Sequence, residues 1–320
     1  MTDNDLLNTY LSCLHAGGMR QPSRTLGANQ AAIYRRLVEP DAPRLLTPAV
    51  AMEILRGTTG SQSLAHTLSS LESKDVLKRV GKGVYLNVST GQSPKVVDLI
   101  PWIFRPSMFY LSLNAMANHW GLSPQIPRSY HVVYAPTGEA QTRRVARWCK
   151  MLDGYEDAIG GSLTPLPVRS GSALDRGVSQ AIMEGVQLPV STLERTIVDA
   201  VTYTEEIGGA SEALLWVKSA LSKDLQYNEL EGIVGEVYER VNSVASRLGF
   251  LFEFALREGR QGQRKEAAEK LLTRLETIVA GTRATYNWGR EEERTTYFQR
   301  WHLHVSADYL GKLSEVSAVE

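Results

Sequence analysis

SQSLAHTLSSLESKDVLKRVGKGVYLNV, residues 61–88, decides how the first third of this chain is read. Its first half places Leu64, Leu68 and Leu71 at i, i+4 and i+7, which is one side of a helix. The other side carries Gln62, Ser63, His66, Ser69, Ser70 and Ser73, with no acid before Glu72. A solvated helix face is ordinarily rich in Glu and Lys. Short polar side chains without negative charge can instead approach a phosphate backbone and reach base edges. The second half changes period. Residues 76–80 and 84–88 are β-branched and aromatic runs joined by Gly81-Lys82-Gly83, which predicts a hairpin with glycine at its turn. Lys78 and Arg79 lie on this hairpin and Lys82 at its tip.

Upstream, Thr47-Pro48 reads as an N-cap followed by proline at the first helical position. The compact apolar run to Leu55 reads as a helix that Gly57 ends, and Thr58-Thr59-Gly60 as a short turn into the helix over 61–73. Helix, short turn and helix is a helix-turn-helix, and the basic hairpin behind it is a wing. The expected reading helix is therefore the one from Ser61, with Ser61, Gln62, Ser63 and His66 near base edges and Lys78, Arg79 and Lys82 on phosphates. The bland alternative is a helix–hairpin unit that only packs a domain.

Further upstream, residues 4–16 carry a helical apolar stripe (Leu6, Leu7, Tyr10, Leu11, Leu14) stopped by Gly17-Gly18, and residues 28–38 a second helix. Arg20, Arg24, Arg35 and Arg36 could add phosphate contacts or simply be solvated. The chain's 35 basic and 35 acidic residues cancel, so the whole molecule has no polyanion-binding signature. The balance is uneven along the chain. Residues 1–96 hold 11 Lys and Arg against 7 Asp and Glu, and the remaining 224 hold 24 against 28.

Residues 89–94, STGQSP, form the clearest linker. The expected domains are a winged helix-turn-helix at 1–90 and a second region at 95–320. The latter is expected to be mixed α/β over 95–205, mainly helical over 206–285, and strand-like and aromatic-rich over 286–320. The fold class is thus α+β. Strands are expected at 130–134, 143–148, 163–169 and 186–190, and helices at 112–120, 211–222, 227–258 (bent near Gly249) and 264–280. Ser191 and Glu194 read as a capping box, and Arg195 and Asp199 as an i, i+4 ion pair. Each of these four residues already has a structural task, so they are not read as catalytic.

Cys13 and Cys149 are far apart and give neither metal-ligand spacing nor a disulfide framework. The start, MTDND, lacks the basic and apolar regions of a signal peptide, and no apolar run approaches the ~20 residues of a membrane span. A cytoplasmic protein without membrane attachment is expected. Asp175 after Gly171-Ser172 is one acid where nucleotidyl transfer needs a pair. His302 and His304, two apart on an expected strand, lack a third ligand, and Glu291-Glu292-Glu293 reads as a solvated loop. With no phosphate loop, HExxH or nucleophile elbow, the sequence supports neither an enzyme nor a cofactor or metal.

Three pieces in order resemble the AbiEi family of abortive-infection antitoxins: VLKRVGKGVYL (76–86), FYLSLNAMANHWGLSPQIP (109–127) and LPVSTLERTIVDAV (188–201). The matching positions are 79–85, then Tyr110, Ser112, Ala117, Gly121 and Leu122, then Glu194, Arg195, Thr196 and Asp199. The resemblance covers roughly residues 47–205. It implies an autorepressor and antitoxin of a type IV toxin–antitoxin system. Such a protein binds inverted repeats in operator DNA at its own promoter and counteracts a nucleotidyltransferase-like toxin, usually indirectly. Family members often begin close to the first winged-helix helix, whereas here a longer segment precedes Thr47. The other reading is an interaction protein whose acidic C-terminal two-thirds binds a partner directly, with the winged helix used for assembly.

Overall fold

The structure is a computed structural model describing residues 26–39, 42–56, 63–81, 83–89, 95–168, 174–237, 241–258, 264–289 and 294–318. The expected helix over 4–16, the turn 57–60, Ser61, Gln62, Lys82 and the linker 90–94 lie outside the described residues. In chain order the elements are α1 (Ala28–Leu37), β1 (Leu45–Leu46), α2 (Pro48–Ile54), α3 (Leu64–Glu72), β2 (Leu77–Gly81), β3 (Val84–Asn87), α4 (Val96–Phe104), β4 (Met108–Ser112), α5 (Asn114–His119), β5 (Ser129–Ala135), α6 (Glu139–Leu152) and α7 (Glu156–Ile159). Then follow β6 (Ser162–Pro167), β7 (Val178–Met183), β8 (Val186–Ser191), α8 (Leu193–Thr202), α9 (Ala210–Leu221), α10 (Tyr227–Val237), α11 (Val241–Glu258), α12 (Arg264–Ala280), β9 (Tyr286–Trp288), β10 (Thr295–Phe298), β11 (Leu303–Ser306) and α13 (Ala307–Ala318). The fold is α+β, with a helical C-terminal part. The chain folds as two compact units, Met1–Ile103 with Arg147–Ser162, and Phe104–Ala146 with Leu163–Glu320.

In the first unit, helix, strand, two helices and a hairpin follow in order. The sheet order is β1-β3-β2, antiparallel throughout, with Leu46 opposite Tyr85 and Lys78 opposite Leu86. The apolar spacing of α1 and α3 turns Ile33, Tyr34, Leu37, Leu68 and Leu71 inward against Leu46, Ala51, Leu77 and Tyr85. Fully burying each leucine or isoleucine side chain among them stabilises by about 1.5–3 kcal/mol. A buried polar clamp ties the hairpin to α1. Asn87 Nδ2 donates to the Leu37 carbonyl at 2.8 Å, and Asn87 Oδ1 accepts from the Ser89 amide at 3.1 Å. In the same unit Trp102 and Trp148 stack edge to face at 4.2 Å.

The second unit holds a five-stranded sheet of order β6-β5-β4-β8-β7. β4 pairs antiparallel with β5 and parallel with β8, and β7 and β8 form a hairpin. A three-stranded sheet, β10-β11-β9, pairs antiparallel on one side and parallel on the other. The helices from α8 onward bury Ile197, Val198, Leu214, Trp216, Leu230, Leu248, Phe252 and Leu275 in one core, which Trp288, Trp301 and Leu303 complete.

Several expectations are corrected here. Residues 143–148 are not a strand but the middle of α6, whose Val145, Cys149 and Leu152 recur at helical spacing and are buried. The expected bent helix over 227–258 is two helices, α10 and α11. Gly249 is not a bend but lies inside α11, where a Cβ would overlap the Trp301 ring. The N-cap of α8 is Thr192, not Ser191. Thr192 Oγ1 accepts from the Arg195 amide at 3.3 Å, while Ser191 Oγ hydrogen-bonds Thr196 Oγ1 at 2.7 Å. No capping box forms there, because Glu194 Oε1 accepts from the Gln226 amide at 2.9 Å, ahead of α10. Finally, His302 is left-handed (φ +46°) and ends a 3-10 turn, so it does not share a strand face with His304 in β11.

Candidate nucleic-acid interface

The helix expected from Ser61 begins instead at Leu64. Ser63 is its N-cap, with its hydroxyl oxygen accepting from the His66 amide at 3.3 Å. This local bond explains the later start, since a serine at that position satisfies an otherwise orphaned amide. Leu68, Leu71 and Thr67 are buried against the unit's core, and Ser63, Ala65, His66, Ser69 and Ser73 are exposed. The polar side therefore faces outward. Glu72 is half-buried at the helix C-terminus, and Asp75 is exposed beyond it. There is no acid in the first turn, so the positive end of the helix dipole is not neutralised from its own sequence.

Next to this helix, Lys78 and Arg79 are both exposed although they are consecutive in a strand. Strict alternation would send them to opposite faces. β2 is an edge strand whose register against β3 is regular through Lys78 and Arg79 and shifts only beyond them, between Arg79 and Gly81. β3 lies between β1 and β2 and is buried along its whole length. Gly83 sits at φ +73°, and a Cβ there would come within 3.5 Å of Pro48 Cγ, so the hairpin turn lies against the start of α2. That start is fixed as expected, with Thr47 Oγ1 accepting from the Val50 amide at 3.3 Å.

The upstream cations separate. Arg35 is exposed, while Arg36 makes a 2.6 Å ion pair with Glu39 at the end of α1. Lys74, just past α3, donates to Gln30 Oε1 at 2.6 Å and ties α3 to α1. Of the expected site, the described structure thus brings Ser63, His66, Lys78 and Arg79 onto the exposed surface of one unit. Ala65 stands on the same outward side. An alanine carries no polarity signal in a sequence, so only the helix phase points to it.

The other two motif pieces meet in the second unit, in one buried network. Arg195 and Asp199 are fully buried, with Nε donating to Oδ1 at 3.1 Å. Ser112 Oγ donates to Asp199 Oδ2 at 2.6 Å and the Tyr110 hydroxyl to Oδ1 at 3.3 Å. The guanidinium stands 4.8 Å from the centre of the Tyr110 ring, and its Nη1 donates to the Arg176 carbonyl at 3.0 Å. Trp120 Nε1 donates to the Ser191 carbonyl at 3.0 Å. These contacts join α8 to β4 and to the loop before β7. His131, opposite Ser112 on β5, is 3% exposed, and burial pushes its pKa down to about 4. Glu206 Oε2 lies 3.8 Å from its Nε2, but that carboxylate is half in water and does not offset the burial. In the first unit the Cys149 thiol is pushed up to about 12 by burial and by Asp153, which makes it unreactive. Among the described residues no helix is long and apolar enough to cross a membrane.

No protein-family model matches the sequence. No curated protein matches it either. Among solved structures, the crystal structure of the RV2827C protein from Mycobacterium tuberculosis is similar, with a TM-score of 0.62 over 93% of this chain and 97% of that one. The two sequences are 13% identical, so what the likeness shows is a shared fold over nearly the whole length of both chains.

Proposed function

We propose that this chain binds DNA through its first unit, acting as a winged helix-turn-helix, and serves as a transcriptional autorepressor and antitoxin. It would occupy an operator at its own promoter and counteract a nucleotidyltransferase-like toxin in the cytoplasm. The observation that carries the DNA-binding reading is the outward side of α3. There Ser63, Ala65, His66, Ser69 and Ser73 are exposed, beside a bulged edge strand that exposes Lys78 and Arg79. A helix that is short-chained on its outer side can enter a major groove without repelling phosphates, and adjacent cations can hold the backbone. The excess of basic residues over 1–96 favours the same surface. The antitoxin part rests on the AbiEi resemblance. It is consistent with Tyr110 and Ser112 of one motif piece meeting Arg195 and Asp199 of another, as pieces of one domain do.

The test is DNA binding by fluorescence anisotropy across a salt series. Three to four phosphate contacts per subunit give a log–log slope of about −3 to −4. Replacing Lys78 and Arg79 together with Ala should weaken binding to all duplexes alike and reduce that slope by about 2. An unchanged slope would remove Lys78 and Arg79 from the interface. For the antitoxin part, co-expression with the product of the neighbouring gene should restore growth without the two proteins co-purifying. A stable complex would favour direct protein binding instead.

A further inference from the structure

The outward side of α3 can be sorted by which polar groups are already committed. The Ser63 hydroxyl oxygen accepts from the His66 amide, and the Ser73 hydroxyl donates to the Ser70 carbonyl at 2.9 Å. Both serines serve the helix ends. Ala65, His66 and Ser69 remain exposed between them, and the Ser69 hydroxyl has no partner among the described residues. Ala65 and Ser69 are four apart and so adjacent on the helix, with His66 beside them. Ala65 and Ser69 are short and uncharged, which lets the helix axis come close to a base edge. Long forked side chains, the usual readers of guanine and adenine, do not occur within α3. The one apolar feature in a major groove is the C5-methyl group of thymine, and a methyl side chain is its complement.

Resting on the DNA-binding reading above, we propose that α3 reads thymine, with the Ala65 methyl packed on the C5-methyl group and the Ser69 hydroxyl on the edge of a neighbouring base. Ala65 is thereby a specificity-determining residue. The contact is apolar, so it discriminates by shape and burial and is largely indifferent to salt.

The experiment uses the full-length chain and a duplex that it selects from a randomised pool. Each thymine of that duplex is replaced in turn by deoxyuridine, which removes the methyl and leaves the hydrogen-bonding edge intact. Loss of one buried methyl corresponds to about a fourfold fall in affinity. The expected result is one position per half-site where uracil weakens the parent about fourfold and leaves Ala65→Ser unaffected. Ser69→Ala should keep that uracil penalty. Ala65 is exposed, so the variant should melt like the parent, and a matching melt confirms that the comparison is fair. If the parent binds and no thymine position responds, or if the penalty persists in Ala65→Ser, the thymine assignment is overturned while DNA binding stands. If no duplex is enriched at all, the DNA-binding reading itself fails and takes this one with it.

Discussion

Asp199 is the residue on which Arg195, Ser112 and Tyr110 converge in the second unit. It accepts a hydrogen bond from each, so removing it takes the carboxylate from a buried guanidinium and an acceptor from two hydroxyl groups. Asp199→Ala should destabilise the chain by about 3–5 kcal/mol, measured by urea titration. Asp199→Asn keeps an acceptor and should cost less. A cost for Asp199→Ala below about 1 kcal/mol would show that the network is not structural. His131 gives a pH signature of definite sign. Its folded pKa of about 4 lies below the ordinary 6.5, so the folded state resists protonation. The stability of the neutral form is fully present above pH 6.5 and is lost as pH falls towards 4. The difference of about 2.5 units corresponds to about 3 kcal/mol. The melting temperature of the parent should therefore drop more steeply between pH 6.5 and 4 than that of His131→Gln. Parallel curves would mean that His131 is solvated.

At the scale of elements, the two caps of the first unit make a matched pair of tests. Thr47→Ala removes the acceptor for the Val50 amide at the start of α2, and Ser63→Ala the one for the His66 amide at the start of α3. Each should cost about 1 kcal/mol, read from thermal melts. If Ser63 acts only as a cap, Ser63→Ala should leave base preference in a selection experiment unchanged. A shifted preference would make it a reader instead. The sequence is most legible where the signal is local. Thr47-Pro48, the leucines of α3, the hairpin around Gly81 to Gly83 and the span of α12 are each set by residues within one or two turns of each other. It is least legible where two local readings compete or the partner is remote. Ser63 fits a helix face as well as a cap, so the leucine spacing alone does not show that the helix starts at Leu64. Residues 143–148 read as a strand within a short window, and only the longer spacing of Val145, Cys149 and Leu152 reveals a helix. Glu194 fits a capping box, yet its partner is the Gln226 amide, which no local pattern could indicate. That Lys78 and Arg79 lie on an edge strand becomes visible only with the strands paired.

For the molecule as a whole, the first unit is built from two stretches of chain, the second being Arg147–Ser162. A fragment ending at residue 94 omits that stretch as well as the buried Val96, Val97, Leu99 and Ile100. It should unfold at a lower temperature than the full chain, followed by far-ultraviolet circular dichroism. Equal melting would show that residues 1–94 are self-sufficient. The interior of the larger sheet carries a different consequence. β4 lies between β5, made soon after it, and β8, made only after α6, β6 and β7. A chain still being synthesised must therefore hold one side of β4 open until Val186–Ser191 has been made. Unpaired strand edges recruit other chains, and parallel pairings between distant segments close slowly. A pause in synthesis between β5 and β8 prolongs that opening and should favour inclusion bodies, whereas the same pause placed after β8 should not.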